Sequence, residues 1–213
     1  PLGKVRVNVE LRKALTSRRD FVETSDAPHE KEHSLELQLP FLQVGLTHSS
    51  GGKEIRILPV LVGELSPARS EQLARTLVDL LAGKRALIVA SSDLSHYPAY
   101  EDARESDKAI LAAATSLNAE HLSRKDESLL RERIPGLECT MCGLSAVLVL
   151  ERAARWMKVT EGKTLCYRNS GDVAVGDKTR VVGYGAVAFL ASTESGGKWV
   201  KTPSWKAEVD SPD

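Results

Sequence analysis

Ala86-Leu87-Ile88-Val89-Ala90-Ser91-Ser92-Asp93-Leu94-Ser95-His96-Tyr97 is the stretch whose reading decides the fold. Its first five residues are small and apolar, stand between Lys84-Arg85 and a pair of serines, and show no alternation of polar and apolar positions. That pattern suits an inner strand of a mostly parallel sheet, covered on both faces. The polar cluster then falls at the strand's carboxyl end, where open α/β sheets bind their ligands. Asp93 and His96, three residues apart, thus stand where a site is expected. An imidazole at such a place can serve as general acid or base, and the carboxylate can hold its tautomer or, equally, cap the turn that follows. Ser91, Ser92 and Ser95 satisfy a polar pocket or serve an ordinary turn.

Working outward, the residues just upstream read as a helix over 66–81. Pro67 lies near its start, Leu73, Leu77 and Leu80 or Leu81 recur at helical spacing, and Gly83 ends it. Before it, Ile55 to Val62 is strand-like, with Pro59 marking an irregularity or an edge. Strand, helix and strand in so short a span form a βαβ unit, which joins parallel strands by a right-handed crossover. Nearer the front, Leu35, Leu39, Leu42 and Leu46 predict a helix that Pro40 must kink or restart, and residues 8–18 predict a short helix with Val9, Leu11 and Leu15 inward. Downstream, helices are expected over 101–117, 119–133 and 142–157. Two last strands, 164–169 and 180–190, are expected around a Gly-Asp-rich turn. The fold class is therefore α/β, with a mostly parallel central sheet flanked by helices. Residues 1–191 read as one domain and 192–213 as a polar, weakly ordered tail carrying Trp199 and Trp205.

Composition excludes some functions. Among 213 residues, 29 Lys and Arg balance 29 Asp and Glu, so no broad positive field attracts nucleic acid or an anionic membrane. No apolar run approaches the roughly 20 residues that span a bilayer, and a soluble, cytoplasmic protein is expected. Three cysteines are too few and too odd a number for a disulfide framework.

Other groups carry chemistry. Cys142 opens a predicted helix, where the dipole and free N–H groups favour the thiolate that ligates metals; the alternative is a small buried hydrophobe. Cys139 and Cys142 make a C-x-x-C spacing, but no second pair completes a structural zinc site. His33 begins a helix in a charged stretch, facing either a site or solvent. Cys166 reads as core, and His48 and His121 as surface.

Taken together, Glu32-His33-Ser34 through Leu42, Leu58-Pro59-Val60-Leu61-Val62-Gly63, Ser91 through Tyr97, Cys142-Gly143, and Asn169-Ser170-Gly171-Asp172 to Val182-Gly183-Tyr184 resemble the Memo family. That family includes the bacterial and archaeal proteins called AmmeMemoRadiSam system protein B. The resemblance implies a fold similar to the class III extradiol dioxygenases, non-haem iron enzymes. It also implies a metal pocket built from two N-terminal histidines and the cysteine of the Cys-Gly pair, here Cys142. His96 and Asp93 match the remaining pocket residues, with His96 similar to the dioxygenases' acid/base histidine; His33 matches a further histidine near the pocket, and Ser92 and Tyr97 lie in the same motif. The two N-terminal histidine motifs are not found in this sequence, and Pro28-His29 matches neither, so the chain is expected to lack its N-terminal portion.

The expected function is a metal-dependent redox protein of the dioxygenase type, with iron or copper as cofactor, Cys142 as ligand and His96 as acid/base. A thiolate is a softer donor than a carboxylate, which lets copper or zinc compete with iron. The alternative is a non-catalytic protein that binds a peptide or small molecule in the same pocket.

Overall fold

Ser66-Pro67 starts a helix for two independent reasons. The Ser66 hydroxyl accepts a hydrogen bond from the Arg69 N–H (3.3 Å), and Pro67 sits where its missing N–H costs nothing. The helix ends at Leu81, and Gly83 two residues on turns the chain away with a φ of +71° that a side chain rarely adopts. The computed structural model describes residues 2–18, 20–49 and 55–191, with side chains left out for 47–49. Their elements are β1 (Arg6–Val7), α1 (Val9–Arg18), α2 (Leu39–Ser49), β2 (Arg56–Ile57), α3 (Pro67–Leu81), α4 (Tyr100–Ala114), α5 (Ala119–Arg131), α6 (Leu144–Trp156), β3 (Val159–Asn169) and β4 (Gly183–Ala191). Pro40 begins α2 rather than kinking a longer helix, because a 3₁₀ turn over Glu36–Gln38 comes first. The expected tail, with Trp199 and Trp205, lies outside the described residues.

The helices lie close to where spacing predicts them, whereas the sheets differ. β1 and β2 pair in parallel over two residues each, and the longer ladder, β3 with β4, is antiparallel. The chain is thus mixed α/β. A mostly parallel central sheet is not seen among the described residues, where Ala86–Ala90 joins no ladder. That segment has no regular secondary structure and is covered on one face only. Ile88 and Ala90 pack against buried clusters, while Leu87 and Val89 are 66% and 47% exposed. Its uninterrupted apolar run implied cover on both faces, and this difference is what the run alone could not reveal.

Two buried clusters meet at α6. Val147 joins Leu94, Ile110, Leu111, Leu122, Leu129 and Met141, whereas Val149 and Ala153 join Leu15, Leu73, Ala74 and Leu80. A helix contributing to both cores fixes the turn before it, and that turn carries Cys142. Two burial expectations fail. Val9 is 45% exposed at the start of α1, although Leu15 is buried. Cys166 is exposed, because a register shift between Thr164 and Cys166 interrupts the alternation of β3 and leaves Leu165 outward as well. His121 is exposed as expected, and the His48 side chain lies outside the described residues.

Candidate metal centre

Beyond Ala90 the same stretch changes character, because main-chain hydrogen bonds clamp it from both sides. Leu94 N–H donates to the Gly183 carbonyl (2.9 Å) and Gly183 N–H to the Ser95 carbonyl (2.9 Å). His96 N–H donates to Cys139 (3.0 Å), Glu138 N–H returns to His96 (3.0 Å), and Tyr97 N–H donates to Val181 (2.7 Å). His96 therefore bridges two neighbouring segments, one around Cys139 and the other around Val182. Such bracketing leaves its imidazole little freedom of approach.

Cys142 reaches the same place from the turn before α6. Its N–H donates to the Asp93 carbonyl (3.3 Å), and its Sγ accepts the Asp93 N–H (3.1 Å). Ser92 locks the two segments: its hydroxyl donates to the Asp93 carbonyl (2.7 Å), accepts the Gly143 N–H (2.8 Å) and lies 3.8 Å from the Cys142 sulfur. The glycine after the cysteine is sterically required, since a Cβ on Gly143 would lie 2.5 Å from the Ser91 carbonyl oxygen and 2.8 Å from Ser92 Cβ.

One donor atom from each of Asp93, His96 and Cys142 lies within 4.8 Å of the others. His96 Nε2 stands 3.6 Å from Asp93 Oδ2, and that nitrogen is buried with no hydrogen-bond partner. A buried imidazole nitrogen without a partner costs free energy unless a ligand satisfies it. Carboxylate, imidazole and thiolate together form a donor set that a transition metal accepts. Cys139 differs from Cys142: burial pushes its thiol up to about 11, which keeps it protonated at neutral pH. Of the C-x-x-C pair, Cys142 is the exposed member and stands in the donor cluster.

Tyr97 flanks the cluster, its ring centroid 5.4 Å from that of His96 and the Arg180 guanidinium 3.9 Å above it. Its φ is +72°, a conformation that costs a non-glycine residue on the order of 1 kcal/mol and that concentrates at functional sites. His33 stands apart from the donor cluster. Its side chain is 74% exposed and its Nδ1 pairs with Glu36 Oε1 at 2.8 Å; that hydrogen bond pushes the imidazole above its ordinary value. The segment touches the site loop through another residue, because Gln38 Nε2 donates to Ser91 Oγ (3.0 Å).

Sequence reasoning missed Asp107 of α4. It is fully buried beneath the loop, accepting from the Ser95 N–H (2.8 Å), the Ser95 hydroxyl (2.9 Å) and the Tyr167 hydroxyl (2.8 Å). A signal was present: Asp107 shares the inward stripe of α4 with Ala103, Ile110, Leu111 and Ala114, a position where helical spacing calls for an apolar side chain.

The description "Memo-like protein" belongs to a family model that matches residues 1–188. The chain belongs to the Memo family. Its similarity to individual Memo proteins is even across distant sources. A "MEMO1 family protein" of Aquifex aeolicus is 35% identical over 190 residues, 89% of this chain and 66% of its own. The counterpart of Methanosarcina acetivorans is 34% identical over 189 residues, 88% of this chain and 65% of its own. That of Nitrosopumilus maritimus is 32% identical over 190 residues, 89% of this chain and 64% of its own. The chain thus spans about two thirds of the length of these Memo relatives.

Proposed function

We propose that this Memo-family chain carries a metal-dependent redox centre of the extradiol dioxygenase type, with Cys142 as metal ligand and His96 as acid/base. The observation that carries this reading is the buried, unpartnered Nε2 of His96, set within 4.8 Å of both a carboxylate oxygen and an exposed thiol. The donor set fits iron or copper, and its thiolate tilts the preference toward the softer ion. When bound, the ion supplies redox and Lewis-acid chemistry. The chain's own residues do the rest. Cys142 anchors the ion, and further donors can fill the positions it leaves. His96 Nε2 takes or gives a proton on a bound molecule, Asp93 Oδ2 lies 3.6 Å away to pass that proton on, and the Tyr97 ring confines the approach. A small molecule, or the end of a peptide, is the substrate class that suits so open a cluster. No helix among the described residues is long and apolar enough to cross a membrane.

Metal analysis of the purified protein against Cys142→Ala tests the assignment. The variant is expected to lose most of its iron or copper, while His96→Gln loses the proton-transfer step. Equal metal content in wild type and Cys142→Ala would sink the ligand role.

A further inference from the structure

The clamp on Ser95 has a keystone. A fully buried carboxylate is costly unless donors satisfy it, and Asp107 receives three, two of them from the one residue Ser95. Ser95 is itself fully buried, and its carbonyl accepts the Gly183 N–H, so its N–H, carbonyl and hydroxyl are all held. Gly183 closes the fit from the other side: a Cβ there would lie 1.9 Å from Asp107 Oδ2. Ser95 stands between Asp93 and His96 in the chain, and fixing it fixes the spacing of the two. Tyr167 meets the same carboxylate from β3, braced within that strand by Asn169 Nδ2 at 3.4 Å; neither bond reaches the loop.

We infer that Asp107 is the positioning residue of the candidate metal centre, holding Ser95 so that Asp93 and His96 stand in register with Cys142. This rests on the metal-centre reading, yet its loop-holding part can be read without metal. Groups that orient ligands from behind are worth roughly 10- to 100-fold in metal affinity. Ser95→Ala removes one of the two bonds to the loop and Asp107→Asn replaces one accepting oxygen with a donor, whereas Tyr167→Phe removes a bond to the same carboxylate away from the loop.

Cobalt(II) titration of the full chain and its variants is one arm of the test. Asp107→Asn and Ser95→Ala should each weaken binding about tenfold, with Tyr167→Phe near wild type. The second arm, free of metal, is the rate of iodoacetamide alkylation of Cys142 in a Cys139→Ser, Cys166→Ser background. The sulfur accepts the Asp93 N–H, so a displaced loop should alter that rate about threefold or more in the first two variants and not in Tyr167→Phe. Should Asp107→Asn fail to fold, Ser95→Ala carries both arms. A cooperatively folded Asp107→Asn or Ser95→Ala with wild-type alkylation would overturn the positioning role, as would an equal effect from Tyr167→Phe. Absence of cobalt binding by the wild type would reject the metal centre alone, and the alkylation rates would still decide the role of Asp107.

Discussion

Ala86–Ala90 and Asp93–Tyr97 are two halves of one stretch, and the protein treats them differently. The first half joins no ladder among the described residues and exposes Leu87 and Val89. The second is clamped by Gly183, Val181, Cys139 and Cys142 and backed by Asp107. The donor cluster thus draws its order from the C-terminal elements α4, α6 and β4, rather than from the apolar run that leads into it. The apolar run leads to the site, but neighbouring turns and a buried carboxylate hold it.

That contrast can be broken most forcefully in the core beneath the clamped half. Leu122 is fully buried, and Leu122→Ala should cost about 2–5 kcal/mol in urea unfolding; a loss under about 0.5 kcal/mol, typical of surface changes, would mean that this core does not support the site. Next, Gly183→Ala forces a methyl group against Asp107 and should cost about 1–3 kcal/mol through overpacking. Weakened metal binding is expected with it, read by the same denaturation and by metal content.

A smaller effect concerns pH. Glu151 of α6 is buried, neither of its oxygens has a hydrogen-bond partner, and burial pushes its carboxyl from the usual value up to about 8. Because the folded-state value is raised, the stability is fully present below the unfolded value, near 4.5, and is lost as pH rises toward 8. Glu151→Gln should flatten that slope and gain on the order of 1 kcal/mol or more at pH 8 relative to pH 5, measured as unfolding free energy at the two pH values. The least effect is expected on the unclamped half: Leu87→Ser should change stability by no more than about 0.5 kcal/mol. A loss of several kcal/mol there would show that Leu87 is covered in solution and would erase the difference between the halves.

Much of this was legible in residue order. Ser66-Pro67 and Gly83 mark α3 because capping and positive φ are local properties, and Cys142-Gly143 and Asp93 with His96 are each short local patterns. What sequence could not show depends on contacts between distant segments. The pairing of Thr164 to Asn169 with a strand some twenty residues on sets the outward turn of Cys166. Cover on only one face of Ala86–Ala90 is invisible in an apolar run. The exposure of His33 likewise follows from a local pairing with Glu36 that its motif does not announce. Asp107 lay in plain view on an apolar stripe, yet its partners Ser95 and Tyr167 come from a loop and a strand that only folding brings together.

Cobalt(II) titration followed by thiolate-to-metal charge-transfer absorption tests the metal centre most directly. The wild type should develop the band, Cys139→Ala and Cys166→Ala should keep it, and Cys142→Ala should abolish it. An undiminished band in Cys142→Ala would contradict a centre built on Cys142, His96 and Asp93.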